Sequence, residues 1–227
     1  MAWVGLKLGI RPIHITLANL GLAIICCTVM AAGEPNSRWI AAVIIVTWQL
    51  LDTVDGTIAR AISERSNYGG FVDQLAGMVL IAFLPISIGV GLYLHPEGSL
   101  EEVSNRLGLG ITYLPTYSLI AGALGSISAL LMRLVQRTIM LRFQLNLVKT
   151  EQSMPGGLGG VANAVKQLEN LGGALIIILI ASVALGVLEW YLVYYALLSC
   201  GMLAGSIVIA LISLRHHHAY PDKTGAD

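Results

Sequence analysis

Long apolar runs separated by short polar stretches are the main feature of this sequence. Each run is close to the roughly 20 residues that a helix needs to cross a bilayer, so the pattern predicts an all-α integral membrane protein with six transmembrane helices. The predicted spans are residues 15–32, 39–61, 69–94, 111–132, 171–188 and 191–214. A turn is expected at 33–37, a second at 63–67, a polar loop at 95–110, and a tight hairpin through Glu189 and Trp190.

The remaining segments complete the predicted domain organisation. Residues 1–14 mix apolar and basic side chains, which is typical of an interfacial segment lying on the membrane. Residues 133–170 are predicted to extend span four as a helix and then to break at the glycine-rich hinge 156–160. We therefore expect an interfacial segment at 1–14, a membrane domain at 15–214 and a polar tail at 215–227.

Composition and charge narrow the picture further. The chain of 227 residues is 56% hydrophobic and 11% charged, which excludes an ordinary soluble domain. With six spans, eleven of the thirteen Lys and Arg residues fall on one side and only Arg38 and Arg106 on the other. The positive-inside rule then places both termini in the cytoplasm. The three cysteines lie in apolar runs without metal-ligand spacing, so we expect them to be small buried residues.

Charged side chains near the end of span two form the first part of a candidate site. The spacing i, i+3, i+4, i+7 and i+8 places a set of residues on one helix face. This set is Asp52, Asp55, Gly56, Ala59 and Arg60. Gly56 and Ala59 add no bulk to that face, so a ligand can approach the backbone, and Arg60 is placed to meet a phosphate.

The next span continues the pattern with Gly69, Asp73 and Gly77 at intervals of four residues, again on one helix face. If the two faces turn toward each other, Asp52, Asp55 and Asp73 share one pocket. One carboxylate at membrane depth costs roughly 2.5 to 3.5 kcal/mol, and like charges repel. A divalent cation compensates for this, and the hard oxygen ligands favour Mg²⁺ or Mn²⁺.

The same residues resemble the CDP-alcohol phosphotransferase family, whose pattern is D-x2-D-G-x2-A-R-x8-G-x3-D-x3-D. The sequence matches seven positions with every spacing kept: Asp52, Asp55, Gly56, Ala59, Arg60, Gly69 and Asp73. It departs at the last position, where Gly77 replaces the fourth aspartate. Family members are membrane enzymes that join an alcohol to the phosphate of a CDP-linked donor and release CMP.

The resemblance implies roles for these positions. Asp52, Asp55 and Asp73 are expected to bind the metals, and Asp73 is the catalytic candidate. The nucleotide donor is expected at Asp52, Gly56, Ala59, Arg60 and Gly69. The fourth aspartate is the family's expected base and a metal ligand, and Gly77 can do neither. A water, a metal-bound hydroxide, Asp73 or the acceptor's own phosphate could take the proton, or catalysis could be slow or absent.

The resemblance also implies a CDP-linked lipid donor, a small alcohol acceptor, a role in phospholipid biosynthesis, a homodimer, and a multi-pass membrane location with the active site facing the cytoplasm. In a bacterium this would be the inner membrane. The sequence does not identify the alcohol. One alternative is a divergent member that binds CDP-lipid or metal without turnover. A second is a cation-coupled transporter using the same carboxylates, although neither internal repeats nor paired broken helices are present.

Three further sets of residues lead to separate expectations. Arg133, Arg137 and Arg142 could bind an acceptor phosphate or lipid headgroups, or could be an ordinary positive flank. An aromatic belt at the span ends is expected from Trp3, Trp39, Trp190, Tyr191, Tyr194 and Tyr195. Close helix packing, within the chain or in a dimer, is expected at Gly122, Gly125, Gly172, Gly173, Gly201 and Gly205.

Overall fold

The computed structural model describes residues 12–61, 67–106, 115–149 and 174–219, and this part of the chain is helical without a strand. The helices are α1 (Pro12–Ala32), α2 (Pro35–Ala61), α3 (Asn67–Leu94), α4 (Ser99–Arg106), α5 (Thr116–Lys149), α6 (Ala174–Leu185) and α7 (Leu188–Ala219). The all-α prediction is confirmed.

Five of the described helices, α1, α2, α3, α5 and α7, are long and apolar enough to cross a membrane. They correspond to the first four predicted spans and the sixth. The predicted fifth span corresponds to α6, which is described only as the short apolar helix Ala174–Leu185. The start of the predicted fifth span lies outside the described residues, so the count of six spans stays a prediction. Most of the predicted interfacial segment and the whole glycine-rich hinge also lie outside them.

The helix boundaries correct the sequence analysis in three places. The predicted polar loop 95–110 contains helix α4, which begins with two acidic residues in its first turn, a favourable arrangement with the helix dipole. The hairpin after α6 turns at Gly186 and Val187, and Glu189 already belongs to α7. Residues 215–219 continue α7 rather than beginning the tail. The predicted helical extension of span four is confirmed, because α5 continues to Lys149.

The helices pack side by side through their apolar faces. Helix α1 packs against both α2 and α3, α3 against α5, and α5 against α7. The buried core between them is built mainly from aliphatic side chains and includes Met30, Ile45, Ile88, Leu92, Leu179 and Leu192. Many large apolar side chains on the outer faces are exposed, as expected for a protein surrounded by lipid.

Glycines allow the closest of these contacts. A Cβ atom at Gly122 would lie 2.5 Å from the carbonyl oxygen of Pro85, so α5 and α3 touch through their backbones. Gly33, with a φ of 75°, ends α1 directly against Gly91 of α3. The packing role of Gly122 is confirmed, whereas an added Cβ at Gly201 would meet nothing within 4 Å in the described part of the chain.

The contact between Gly33 and Gly91 also fixes the direction of the helices. The last residues of α1 and α3 lie together, and the start of α2 joins them through Arg38. The charged stretch at the end of α2 and the start of α3 therefore belongs to the opposite end of the bundle. From Arg38 to Asp52 the rise along α2 is about 21 Å.

Candidate functional site

The structure places the predicted site residues on two helices, as the spacing required. Helix α2 carries Asp52, Asp55, Gly56, Ala59 and Arg60 in its second half. Helix α3 carries Gly69 in its first turn, with Asp73 and Gly77 in the next turns. The side chains of residues 55–60 and 69 lie outside the described part of the structure, so the predicted pocket of three carboxylates stays a prediction.

The described side chains of the site differ in exposure. Asp52 is half-buried and Asp73 is exposed, although both side chains have interaction partners in the structure. Gly77 is half-buried, and a Cβ atom built there would meet nothing within 4 Å among the described residues. The described side chains therefore leave space for a larger residue at the position where the motif departs from its family pattern.

Helix α1 contributes a buried polar contact to the motif. Asn19 is 1% exposed, and its side-chain amide faces one turn of α2. The nitrogen and oxygen of this amide are assigned so that each meets a suitable partner. In this orientation Nδ2 donates to the carbonyl oxygen of Trp48 at 3.2 Å, and Oδ1 accepts from the backbone N–H of Asp52 at 3.3 Å. Asn19 was not predicted as a functional residue, although an amide inside an apolar span was a visible signal.

The packing of α1 relates the two motif helices in depth. Met30 of α1 and Gly33, which directly follows α1, both contact Gly91 of α3, near the end where both helices finish. Asn19 precedes Gly33 by as many residues as Gly77 precedes Gly91. Since α1 and α3 run in the same direction, Asn19 lies at about the level of Gly77. Asn19 also contacts the turn that ends at Asp52. The first aspartate of the motif and the glycine at its last position therefore lie at a similar depth in the bundle.

The donor set at this end fits a hard divalent cation by its chemistry. The motif supplies carboxylate oxygens on α2 and α3, and such oxygens are the ligands that Mg²⁺ and Mn²⁺ prefer. Among the described side chains, which do not include that of Asp55, there is no cluster of three His, Cys, Asp or Glu residues that could hold a metal ion. The identity and geometry of the metal site therefore stay predictions.

The basic residues of α5 have different environments. Arg133 is half-buried and has a partner in the structure, whereas Arg137 is exposed. One turn beyond Arg133, the buried Gln136 lies 3.5 Å from the hydroxyl of Ser206 on α7. Neither interpretation of these arginines is decided by these contacts.

At the opposite end of the bundle the structure shows a buried network of charged residues that the sequence analysis did not predict. Arg38 Nη1 lies 2.5 Å from Glu97 Oε1, and its Nη2 donates to the carbonyl oxygen of His95. The other oxygen of Glu97 accepts the backbone N–H of Leu188 at 2.6 Å. The pair joins the start of α2 to the end of α3 and to the start of α7.

Glu189 completes this network. Its carboxylate is 1% exposed and accepts hydrogen bonds from the backbone N–H groups of Glu97, Gly98 and Leu100 and from the hydroxyl of Ser99. It therefore caps the N-terminus of α4, while Glu97 caps the N-terminus of α7. Burial raises the pKa of Glu97, and the Arg38 guanidinium opposes that rise. We interpret the network as a structural connection rather than a catalytic site, because it is about 21 Å along α2 from the motif.

The aromatic residues correct another expectation. Trp39, Trp190 and Tyr194 are exposed by 41 to 50%, as an aromatic belt requires. Tyr191 and Tyr195 are instead buried in the core, with ring centroids 6.0 Å apart, and Gly125 leaves room for the Tyr195 ring. Their position on the inner face of α7 excludes them from the belt.

Comparison with known protein families identifies a match over most of the chain. A sequence model of the CDP-alcohol phosphatidyltransferase family matches residues 10–200, which is most of the chain. The match includes α1, α2 and α3 completely and therefore all the motif residues. A search of curated proteins finds no significant match.

Proposed function

Because the chain belongs to the CDP-alcohol phosphatidyltransferase family, we propose that it transfers a phosphatidyl or similar substituted phosphoryl group from a CDP-linked lipid to a small alcohol and releases CMP. The observation that carries this proposal is the family match over both motif helices. Enzymes of this family are membrane transferases of substituted phosphate groups and generally depend on a divalent metal.

The proposed roles follow from the chemistry of the reaction. Asp52, Asp55 and Asp73 would hold Mg²⁺ or Mn²⁺, which when bound neutralises the charge of the donor diphosphate. Arg60 would share that charge, as cations do in phosphoryl transfer. Asp52, Gly56, Ala59 and Gly69 would complete the donor site on the two helices. These assignments rest on the matched motif and on the helical positions of the residues.

The proposed reaction also needs a group to accept a proton. The alcohol oxygen attacks the phosphorus of the lipid-linked phosphate, the bond to CMP breaks, and the alcohol proton leaves. With glycine at position 77, Asp73 is our proposed base. Its place in the matched motif supports this role, because the carboxylate that would lie beside the reacting groups is the nearest candidate to accept the proton.

We propose that the site faces the cytoplasm and that the enzyme acts in phospholipid biosynthesis, with a homodimer as the family leads us to expect. The charge distribution supports the orientation. Both basic residues assigned to the outer side pair with carboxylates, Arg38 with Glu97 and Arg106 with Glu102, both at 2.5 Å. The positive-inside rule counts Lys and Arg residues, and in the predicted topology eleven of the thirteen fall on the motif side.

The test is CMP release from CDP-diacylglycerol by the purified protein, with Mg²⁺ or Mn²⁺ and a panel of alcohol acceptors. We expect turnover by the natural protein and its loss, by roughly 10² to 10⁴, in Asp73→Asn. Glu102→Gln is the matched control, because Glu102 is an exposed carboxylate on α4.

Position 77 provides the second arm of the test. Gly77→Asp restores the family carboxylate, and Gly77→Ala controls for the added Cβ. No turnover by the natural protein with activity in Gly77→Asp would indicate a divergent member whose role is binding. Inactivity of both, with no CDP-lipid bound, would overturn the proposal. Solute uptake into proteoliposomes without CMP release would favour a transporter instead.

A further inference from the structure

Asn19 is an amide buried inside an apolar helix, and both of its polar atoms contact the same turn of α2. The backbone N–H of Asp52 and the carbonyl of Trp48 are the donor and acceptor that close one turn of an α-helix. The Asn19 amide contacts both: when its nitrogen is assigned to the acceptor and its oxygen to the donor, Nδ2 lies 3.2 Å from the carbonyl oxygen and Oδ1 lies 3.3 Å from the nitrogen. Two hydrogen bonds to one turn of α2 fix both the depth and the rotation of that turn relative to α1.

The residue at the end of this turn is Asp52, whose carboxylate starts the motif. The carboxylate and the N–H that is bonded to Asn19 belong to the same residue. A shift of the Asn19 side chain therefore shifts the backbone that carries the carboxylate. The site around the amide is closed, since Asn19 is 1% and Thr16, one turn earlier on the same face, is 2% exposed. A buried amide is stable there only while both of its ends are bonded.

A second contact between the same helices provides a comparison. Cys26 Sγ lies 3.5 Å from the carbonyl oxygen of Ala41, about two turns of α1 away from Asn19. Cys26 is also completely buried. Its hydrogen bond goes to the backbone of α2 at Ala41, about three turns before Asp52, so it holds the helices together without orienting Asp52.

From this geometry we propose that Asn19 is a positioning residue for the metal ligand Asp52. By binding both backbone groups of the turn 48–52, it sets the position from which the Asp52 carboxylate reaches the divalent cation. The inference rests on the proposed function, since it assumes that Asp52 is a metal ligand. It goes further by assigning a role in metal affinity to a residue of α1 outside the motif.

The test measures Mn²⁺ binding to the purified protein in detergent micelles, by the electron paramagnetic resonance signal of free Mn²⁺, beside the thermal midpoint of each variant. Asn19→Gln retains the amide but displaces it by one methylene, and Asn19→Ala removes it. Cys26→Ala is the matched control at the same helix interface. We expect the Mn²⁺ dissociation constant to rise about 10-fold or more in both Asn19 variants and to stay unchanged in Cys26→Ala.

The Gln variant separates positioning from simple helix attachment. A thermal midpoint close to that of the natural protein, with weakened Mn²⁺ binding, supports the inference. Normal Mn²⁺ binding in Asn19→Gln, or in a destabilised but folded Asn19→Ala, overturns it and leaves the proposed function intact. If the natural protein releases CMP without binding Mn²⁺ in this assay, the inference alone fails. If it neither binds Mn²⁺ nor releases CMP, both fail.

Discussion

Arg38 and Glu97 form a buried ion pair between the start of α2 and the segment after α3, with Arg38 Nη1 at 2.5 Å from Glu97 Oε1 and both side chains 9% exposed. Glu97 also accepts the first backbone N–H of α7. One pair of side chains therefore connects three spanning helices at the end of the bundle opposite the motif.

We predict that Arg38→Met destabilises the protein by about 3 kcal/mol, because it leaves the Glu97 carboxylate buried without its cation. Unfolding in detergent micelles, followed by circular dichroism, measures the loss. Arg106→Met is the matched control. Arg106 pairs with Glu102 at the same 2.5 Å distance, but these side chains are 76% and 65% exposed, so we expect a loss below about 0.5 kcal/mol. Equal losses in the two variants would contradict the role assigned to burial.

Glu189→Gln should cost about 2 kcal/mol, because the carboxylate accepts from four donors and the amide replaces one acceptor oxygen by a donor group. The same unfolding measurement applies. Glu101→Gln changes an exposed acidic residue in the first turn of α4, where the loss should stay below about 1 kcal/mol. A Glu189→Gln protein as stable as the natural one would show that water or other groups replace the cap.

The raised pKa of Glu97 predicts a pH dependence of stability. Burial is the main cause of the rise, the proximity of Glu189 adds to it, and Arg38 and the Leu188 N–H oppose it. A carboxyl group whose pKa is raised in the folded state stabilises the fold most when it is protonated. This contribution is fully present at a pH below the ordinary pKa of 4.5, and it is lost as the pH rises through the pKa of the folded state.

The free energy of unfolding of the natural protein, minus that of Glu97→Gln, should therefore decrease as the pH rises from 4.5 through the raised pKa. Subtracting the variant removes the titration of the other carboxyl groups. A difference that increased with pH would mean that the Arg38 pair outweighs burial and lowers the pKa of Glu97.

Gly122→Ala should destabilise the protein by about 1 to 3 kcal/mol, because the added Cβ would lie 2.5 Å from the carbonyl oxygen of Pro85 and would push α5 away from α3. Gly201→Ala is the control, since its Cβ meets no described atom within 4 Å and alanine favours the helix. If Gly122→Ala melts at the same temperature as Gly201→Ala, the close approach of α3 and α5 is not required for stability.

Much of the fold was predictable because it depends on local properties. Hydropathy over about 20 residues selects the helices that can cross a membrane, and turn residues end them. This reasoning located α1, α2, α3, α5 and α7, and it failed at residues 95–110, where a short polar helix has no apolar run to indicate it. It also misjudged Tyr191 and Tyr195, because closeness to the end of a span does not show which side of a helix faces the core.

Composition and the spacing of residues close together in the chain were sufficient to predict the helical membrane class, the family, and the placement of the motif on α2 and α3. Contacts between distant groups became visible in the folded protein alone: Asn19 with the turn at Asp52, Arg38 with Glu97, and Glu189 with the start of α4. These partners are separated by tens of residues. Their pairing depends on which helix ends pack together, and burial then makes each contact strong because water no longer competes for it.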